Sequence, residues 1–550
     1  MKFYKIYLKN YNYFVYLIFT LILVLQLYIS YNGLIEAFYF DIYDFNLDRT
    51  LFKNDLYLQN TLLIDHSILL KIFKLFKINL HNDLIGIPLY FLINLIGIYF
   101  FYKLMIEIFE KDKNNLILIL ILIITLFYNN LTLVGAKSIF LTNHTGTFTS
   151  ILMPLIPIFV YFYFKKKFIV AGVFSLILIL LSPRIFWMPI LIVSFAFFLD
   201  LKNKTIKEKN IFYIIVLFIS SLLMYLYFSQ TNLLLEKEDK LTLLGYVFNY
   251  AGGEDSLLEH PTISIIKLLI SFFIYTYLLR ETKFKSSTIK NIFVASLIMY
   301  LLAFIFYFFY NSFIYRFFPS IEIVGLNPIR AVYIYNFFFI ILSFIFITSK
   351  IKNPFIQLSS LFLILLLNRF EVFNIYLYYL FIIFLIFNFI ILNFKYLKKY
   401  FYFFFILFIL VLQVSWFFKN LNNPKMYKFD LSLYNEFSKI IGLQEISNKK
   451  FGKFNKDDFE GIKEIKECDD FILLFLDSIN DYNIHNFYAN WYLKKSRFVN
   501  EPGHLYMVKD FKIFQEHIKR KNYLVEIIGR DPHEDERTKI FNSAILNDNL

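Results

Sequence analysis

The chain has 550 residues, 58% of them hydrophobic and 21% aromatic, with a mean hydropathy of +0.57 and a formal net charge of +14. Soluble domains carry roughly 45–50% apolar residues, so this apolar share argues against a soluble domain. The lysines sit in short gaps beside apolar runs, so the positive charge orients helices in a bilayer rather than binding nucleic acid. The single cysteine, Cys468, excludes an internal disulfide, and the surplus of Phe, Ile, Tyr, Lys and Asn over Ala, Gly and Arg fits an AT-rich coding bias, so aromatic density alone marks no site.

In chain order, Lys2, Lys5 and Lys9 precede the first apolar run, which has no small-residue cleavage site after Ser30 and reads as a retained signal anchor with a cytoplasmic N-terminus. Spanning helices are expected at 13–31, 84–106, 115–134, 148–164, 168–182, 185–199, 211–228, 262–280, 291–310, 331–348, 354–368, 373–394 and 400–418. That is about 13 crossings of a polytopic α-helical membrane protein. Every second gap is rich in lysine, as in Lys165 to Lys167, Lys202 to Lys209 and Arg280 to Lys290, and those gaps are expected in the cytoplasm. Residues 1–418 form the transmembrane part. Residues 419–550 turn polar and are expected to form a small α/β domain outside, with a buried strand from Asp470 to Asp477, a second from Ser496 to Asn500, and an amphipathic helix from Met507 to Lys521.

The outer gaps hold the candidate chemistry. The first, 32–83, is longer than a simple connection needs. It carries Asp41, Asp44 and Asp48 close behind the first span, where a carboxylate can deprotonate a hydroxyl acceptor or hold a divalent cation against a phosphate. Further along the same gap Lys71, Lys74 and Lys77 alternate with Leu and Phe at helical spacing, the pattern of a helix lying in the membrane interface. Later outer gaps carry His144, Arg184, His260, Arg316 and Arg330, each at the head of a span or near one. One such residue reads as a cap or a snorkelling side chain. Five on the face that carries the acids suit a lipid phosphate, because guanidinium forks and helix N-termini both bind phosphate oxygens.

The order of an acidic first outer loop behind helix one, an interfacial helix in that loop and a soluble C-terminal domain resembles the GT-C class of integral membrane glycosyltransferases. Gly172 followed by Ser182-Pro183-Arg184 is similar to a stretch that reads Gly, then His-Pro in related bacterial families, with Ser182 standing where they have His. Glu259-His260-Pro261 and Asn327 to Arg330 resemble further segments of such relatives. The resemblance implies a GT-C-like fold with a periplasmic C-terminal domain in the inner membrane of a bacterium. It also implies transfer of a sugar from a polyprenyl-phosphate carrier, with Asp44 or Asp48 as the base, and no nucleic-acid partner. A surface-polysaccharide polymerase or ligase working through the Arg and His residues, and a transporter or flippase of a lipid-linked or anionic solute, are the alternatives.

Overall fold

The computed structural model describes residues 37–51, 67–78, 83–108, 152–203, 235–250, 261–321, 331–351 and 511–528, with a few short pieces and isolated positions, among them 359–363, 472–473 and 496–497. The spans expected at 13–31, 115–134, 211–228, 354–368, 373–394 and 400–418 lie wholly or mostly outside these residues. So does most of 419–550.

The described chain is almost entirely helical: α1 Ala37–Leu47, α2 Ile68–Leu75, α3 Asp83–Ile108, α4 Ile156–Phe164, α5 Phe168–Leu181 and α6 Pro183–Lys202, then α7 Lys237–Tyr250, α8 Pro261–Glu281, α9 Ser287–Phe309, the short α10 Tyr315–Phe317, α11 Ala331–Lys350 and α12 Phe511–Ile528. A 3-10 turn, Met153–Leu155, leads into α4, and a π-turn, Tyr310–Ile314, joins α9 to α10. Ile472–Leu473 (β1) and Ser496–Arg497 (β2) pair in parallel, Ile472 opposite Ser496. Helix α12 starts four residues beyond the expected Met507 and runs to Ile528, past the expected Lys521. Among the described residues two helices, Pro88–Ile108 and Ser287–Phe317, are long and apolar enough to cross a membrane, and Met153–Phe164, Phe168–Leu181 and Ile334–Lys350 are shorter apolar helices.

Local chemistry explains the boundaries. Ser286 and Ser67 cap α9 and α2 by accepting from the backbone N–H three residues on, Ile289 and Leu70. Pro183 opens α6, where its missing N–H costs nothing. Helices α2 and α4 both end in a Schellman arrangement with a lysine in the left-handed position: Lys77 at φ 52° and Lys166 at φ 55°. The closing bonds are Ile78 N–H to Phe73 O at 2.8 Å and Lys167 N–H to Phe162 O at 3.0 Å.

Helix α6 packs most extensively on α9, and α3 packs on α4. Gly97 lets the turn before α4 press against α3: a Cβ there would lie 2.2 Å from the carbonyl oxygen of Pro154. Helices α8, α9 and α11 meet around a column of tyrosines, with Tyr335 stacked on Tyr300 at 4.2 Å and on Tyr275 at 5.1 Å between ring centroids. Their hydroxyls stay paired within that layer where a serine is in reach, as in Tyr275 with Ser296 at 2.7 Å and Tyr335 with Ser271 at 2.5 Å. The outer faces are apolar too: Ile169, Val173 and Ile177 on α5, Ile270, Phe273 and Ile274 on α8, and Leu302, Ile305 and Phe309 on α9 are all exposed.

One end of this bundle gathers charge. Lys165, just after α4, meets Glu107 of α3 at 2.6 Å, and that hydrogen bond raises the lysine's pKa. Lys350 of α11 meets Glu281 of α8 at 3.3 Å. Asp200 of α6 is fully buried and accepts from Tyr163 of α4 at 2.5 Å and from the side-chain amide of Asn291 of α9 at 2.7 Å. The ends of α3, α4, α6, α8 and α11 and the start of α9 therefore share one level. The starts of α8 and α11, the α5–α6 turn and the π-turn after α9 lie at the other, roughly 25–35 Å away at about 1.5 Å per helical residue.

Candidate functional site

The expected acids do not lie in an open loop. Asp41 and Asp44 are on helix α1, and Asp48 follows its last turn. Helix α2 folds back on α1: the Asn46 side-chain amide donates to the carbonyl of Leu70 at 2.8 Å, and the rings of Tyr43 and Phe73 lie 5.9 Å apart. Asp44, on the same helix as Asn46, is only 7% exposed. Asp48 is exposed. Its Oδ1 accepts from the Thr50 hydroxyl at 2.7 Å and the Thr50 N–H at 2.9 Å, which lowers its pKa below the ordinary 3.8. A carboxylate so stabilised in its ionised form is a weak base and a good loop staple. Asp44, buried on the helix that α2 folds onto, is the stronger candidate for proton transfer.

Of the three expected basic residues, Lys71 and Lys74 lie on α2 and Lys77 beyond its end. Leu69, Leu70 and Phe73 of α2 are buried while Lys71 and Lys74 are exposed. Lys77 stands beyond the helix end, in the left-handed position. Leu75 and Phe76 between them are exposed at 77% and 67%, which places large apolar groups among the cations. Helix α2 also touches α5.

Of the five expected cationic positions, the structure describes two. Arg184 is the second residue of α6, and its side chain lies outside the description. Arg316 was expected in a loop; it lies in α10, because the helix of α9 continues through the π-turn to Phe317. Its exposed guanidinium sits 6.0 Å from the Tyr315 ring. Both positions are at the end of the bundle away from Asp200. Pro261 and Ala331, which open α8 and α11, are at that end as well, while His260, Arg330 and His144 lie outside the described residues. Helix α7, in a stretch where no span is expected, packs on α10 beside Arg316. The α1–α2 clasp and the Arg316 turn share no extended interface among the described residues.

No known family model matches the chain, and no curated protein or solved structure does either. Its chemistry therefore has to be read from its own residues. Among the described residues no three His, Cys, Asp or Glu side chains come together as a metal site would need. Sequence reasoning missed Asn311. It lies in the π-turn, is 1% exposed, and neither its amide nitrogen nor its oxygen has a hydrogen-bond partner. The neighbouring Tyr310 hydroxyl receives the Ser320 N–H at 2.8 Å and so ties the following chain to the helix end. Its only sequence signal is an Asn-Ser pair inside a long aromatic run, too weak to single out. π-Turns and unsatisfied buried amides both concentrate at functional positions.

Proposed function

We propose that the chain is an integral membrane glycosyltransferase moving a sugar from a polyprenyl-phosphate carrier to a glycan, lipid or protein acceptor at the periplasmic face of a bacterial inner membrane. In this reading about 13 helices cross the bilayer and residues 419–550 form a periplasmic α/β domain that helps hold the acceptor. Asp44 takes the acceptor proton. Arg184, Arg316 and Arg330, with His144 and His260, meet the phosphate that leaves with the carrier, where positive charge is most useful as negative charge develops.

The observation that carries this reading is a carboxylate, Asp44, buried on a helix onto which the basic, apolar-tipped α2 folds back. A second support is the spacing of the two ends. Asn291 and Arg316 are separated by roughly 35 Å of helix, close to a hydrocarbon core of about 30 Å. The choice of sugar transfer over other lipid-phosphate chemistry comes from likeness of architecture. The test compares lipid-linked sugars and surface glycans in cells carrying the wild type, the Asp44→Asn/Asp48→Asn variant or no copy, at matched membrane levels. Accumulation of charged carrier in the variant, as in the deletion, is the expected result. A variant that behaves as wild type while the deletion has a phenotype removes the acids from the mechanism and moves the arginine-based polymerase or ligase ahead.

A second reading has its own observation. Asn94, Tyr300, Asn311 and Asn336 each bury a polar atom without a partner inside apolar helices. Polar groups of that kind in a membrane interior mark a solute path as readily as a catalytic pocket. Transport or flipping of a lipid-linked or anionic solute predicts that Asn336→Leu lowers flux of that solute while leaving sugar transfer unmeasurable in both proteins.

A further inference from the structure

We infer that the charged end of the bundle is a docking surface for anionic phospholipid headgroups, resting on the membrane reading above. Ion pairing at this end is selective. Glu107 takes Lys165 and Glu281 takes Lys350, and Asp200 is enclosed by Tyr163 and Asn291. Left exposed, and without an acidic partner among the described residues, are Lys166 and Lys167 between α4 and α5, Lys202 at the end of α6, Lys283 and Lys285 between α8 and α9, and Lys290 in the first turn of α9.

These lysines border apolar surface. Ile169 and Val170 follow Lys167 within a turn, at 66% and 44% exposure. Phe198 is 57% exposed and sits four residues before Lys202, on the same face of α6, and Tyr277 at 58% precedes Lys283 near the end of α8. A cation directly above an exposed apolar side chain matches a lipid, which presents a phosphate directly above acyl chain. Free phosphate or an acidic protein segment would use the lysines and leave the apolar border uncovered. The backbone that carries Lys166 is also fixed, by the closing bonds of the α4 end.

The test uses the purified full chain in neutral detergent, with phosphatidylglycerol, phosphatidylcholine or inorganic phosphate added, and reads retained lipid by native mass spectrometry and the unfolding midpoint by heating. Phosphatidylglycerol is expected to bind and raise the midpoint, with phosphatidylcholine and phosphate inert and the effect reduced by salt. Each lysine replaced in the set Lys166→Gln, Lys167→Gln and Lys202→Gln should weaken phosphatidylglycerol binding by about fivefold. The matching Lys→Arg set should retain it. Equal binding of both lipids, or an unaffected triple Gln variant in a protein that melts as wild type does, overturns the proposal. A midpoint raised by phosphate alone overturns it in favour of a simple anion site. Recovery of the chain from cells without detergent is a separate failure, that of the membrane reading itself.

Discussion

At the scale of single residues, Asp48 acts on one exposed turn and Gly97 on a packed contact. Asp48 staples the turn after α1 through two bonds from Thr50, and its folded pKa lies below the ordinary 3.8. A carboxylate whose pKa is depressed on folding contributes stability that is complete above about pH 4 and disappears as pH falls through the lowered value. The hydrogen-exchange protection of the Thr50 N–H should follow that course, falling below pH 4 in the wild type and being low at every pH in Asp48→Ala. Because the group is exposed, the effect on the whole protein is small. Gly97 is the opposite case. An added Cβ would meet the backbone of Pro154 at 2.2 Å, and backbone cannot step aside as a side-chain tip can. Gly97→Ala should gain the higher helix propensity of alanine and lose more, a net cost of about 1–3 kcal/mol from overpacking. A lower unfolding midpoint in detergent for Gly97→Ala, unmatched by an alanine placed on the exposed face of α3, is the expected result.

At the scale of elements, the joint of α4, α6 and α9 depends on one buried carboxylate. Asp200 accepts from both Tyr163 and Asn291, so removing it strands two donors in an apolar interior. Asp200→Ala should cost about 2–5 kcal/mol, and Asp200→Leu combined with Asn291→Leu should recover part of that loss, because an apolar pair leaves less polar surface unsatisfied. Full additivity of the two single substitutions in such a cycle would show that they do not share a joint. Nothing in the sequence pointed to this joint. Lys202 and Lys290 were legible as charges beside apolar runs, but Asp200, within two residues of Lys202, carries no signal of its own. Helix existence was legible because spans such as 84–106 and 331–348 are long and uninterrupted, and α3 and α11 stand there. Helix α7 was not, because its segment mixes Lys, Glu and Asp with short apolar stretches and carries no long apolar run. The π-turn was invisible for a different reason: the expected span ends at 310, and what marks Tyr310–Ile314 is a change of hydrogen-bond register.

At the scale of the whole molecule, the candidate site was legible as a set of residue types and illegible as a place. The acids of α1 and the lysines of α2 are neighbours in sequence, so their meeting follows from one local hairpin. Arg184 and Arg316 lie far apart in the chain, and what puts them at one end is the shared direction of α6, α8 and α11 against α5 and α9. That direction has a consequence in a membrane. If the Asp200 end faces the cytoplasm, as its lysines require, then Lys166 and Arg316 must lie on opposite sides. The single native cysteine makes this measurable, since Cys468→Ser gives a background without thiols. Into it, cysteine is introduced singly at Ser182, at Lys166 or at Arg316, and intact cells are treated with a maleimide that cannot cross the membrane. Labelling at positions 182 and 316 in intact cells, with position 166 labelled only after permeabilisation, is the expected outcome. Label at 166 alone would invert the bundle, place Arg184 and Arg316 in the cytoplasm and remove them from any periplasmic phosphate. Label at all three in intact cells would mean that the apolar faces of α5, α8 and α9 are not covered by lipid, and the lysine end would then have no leaflet to bind.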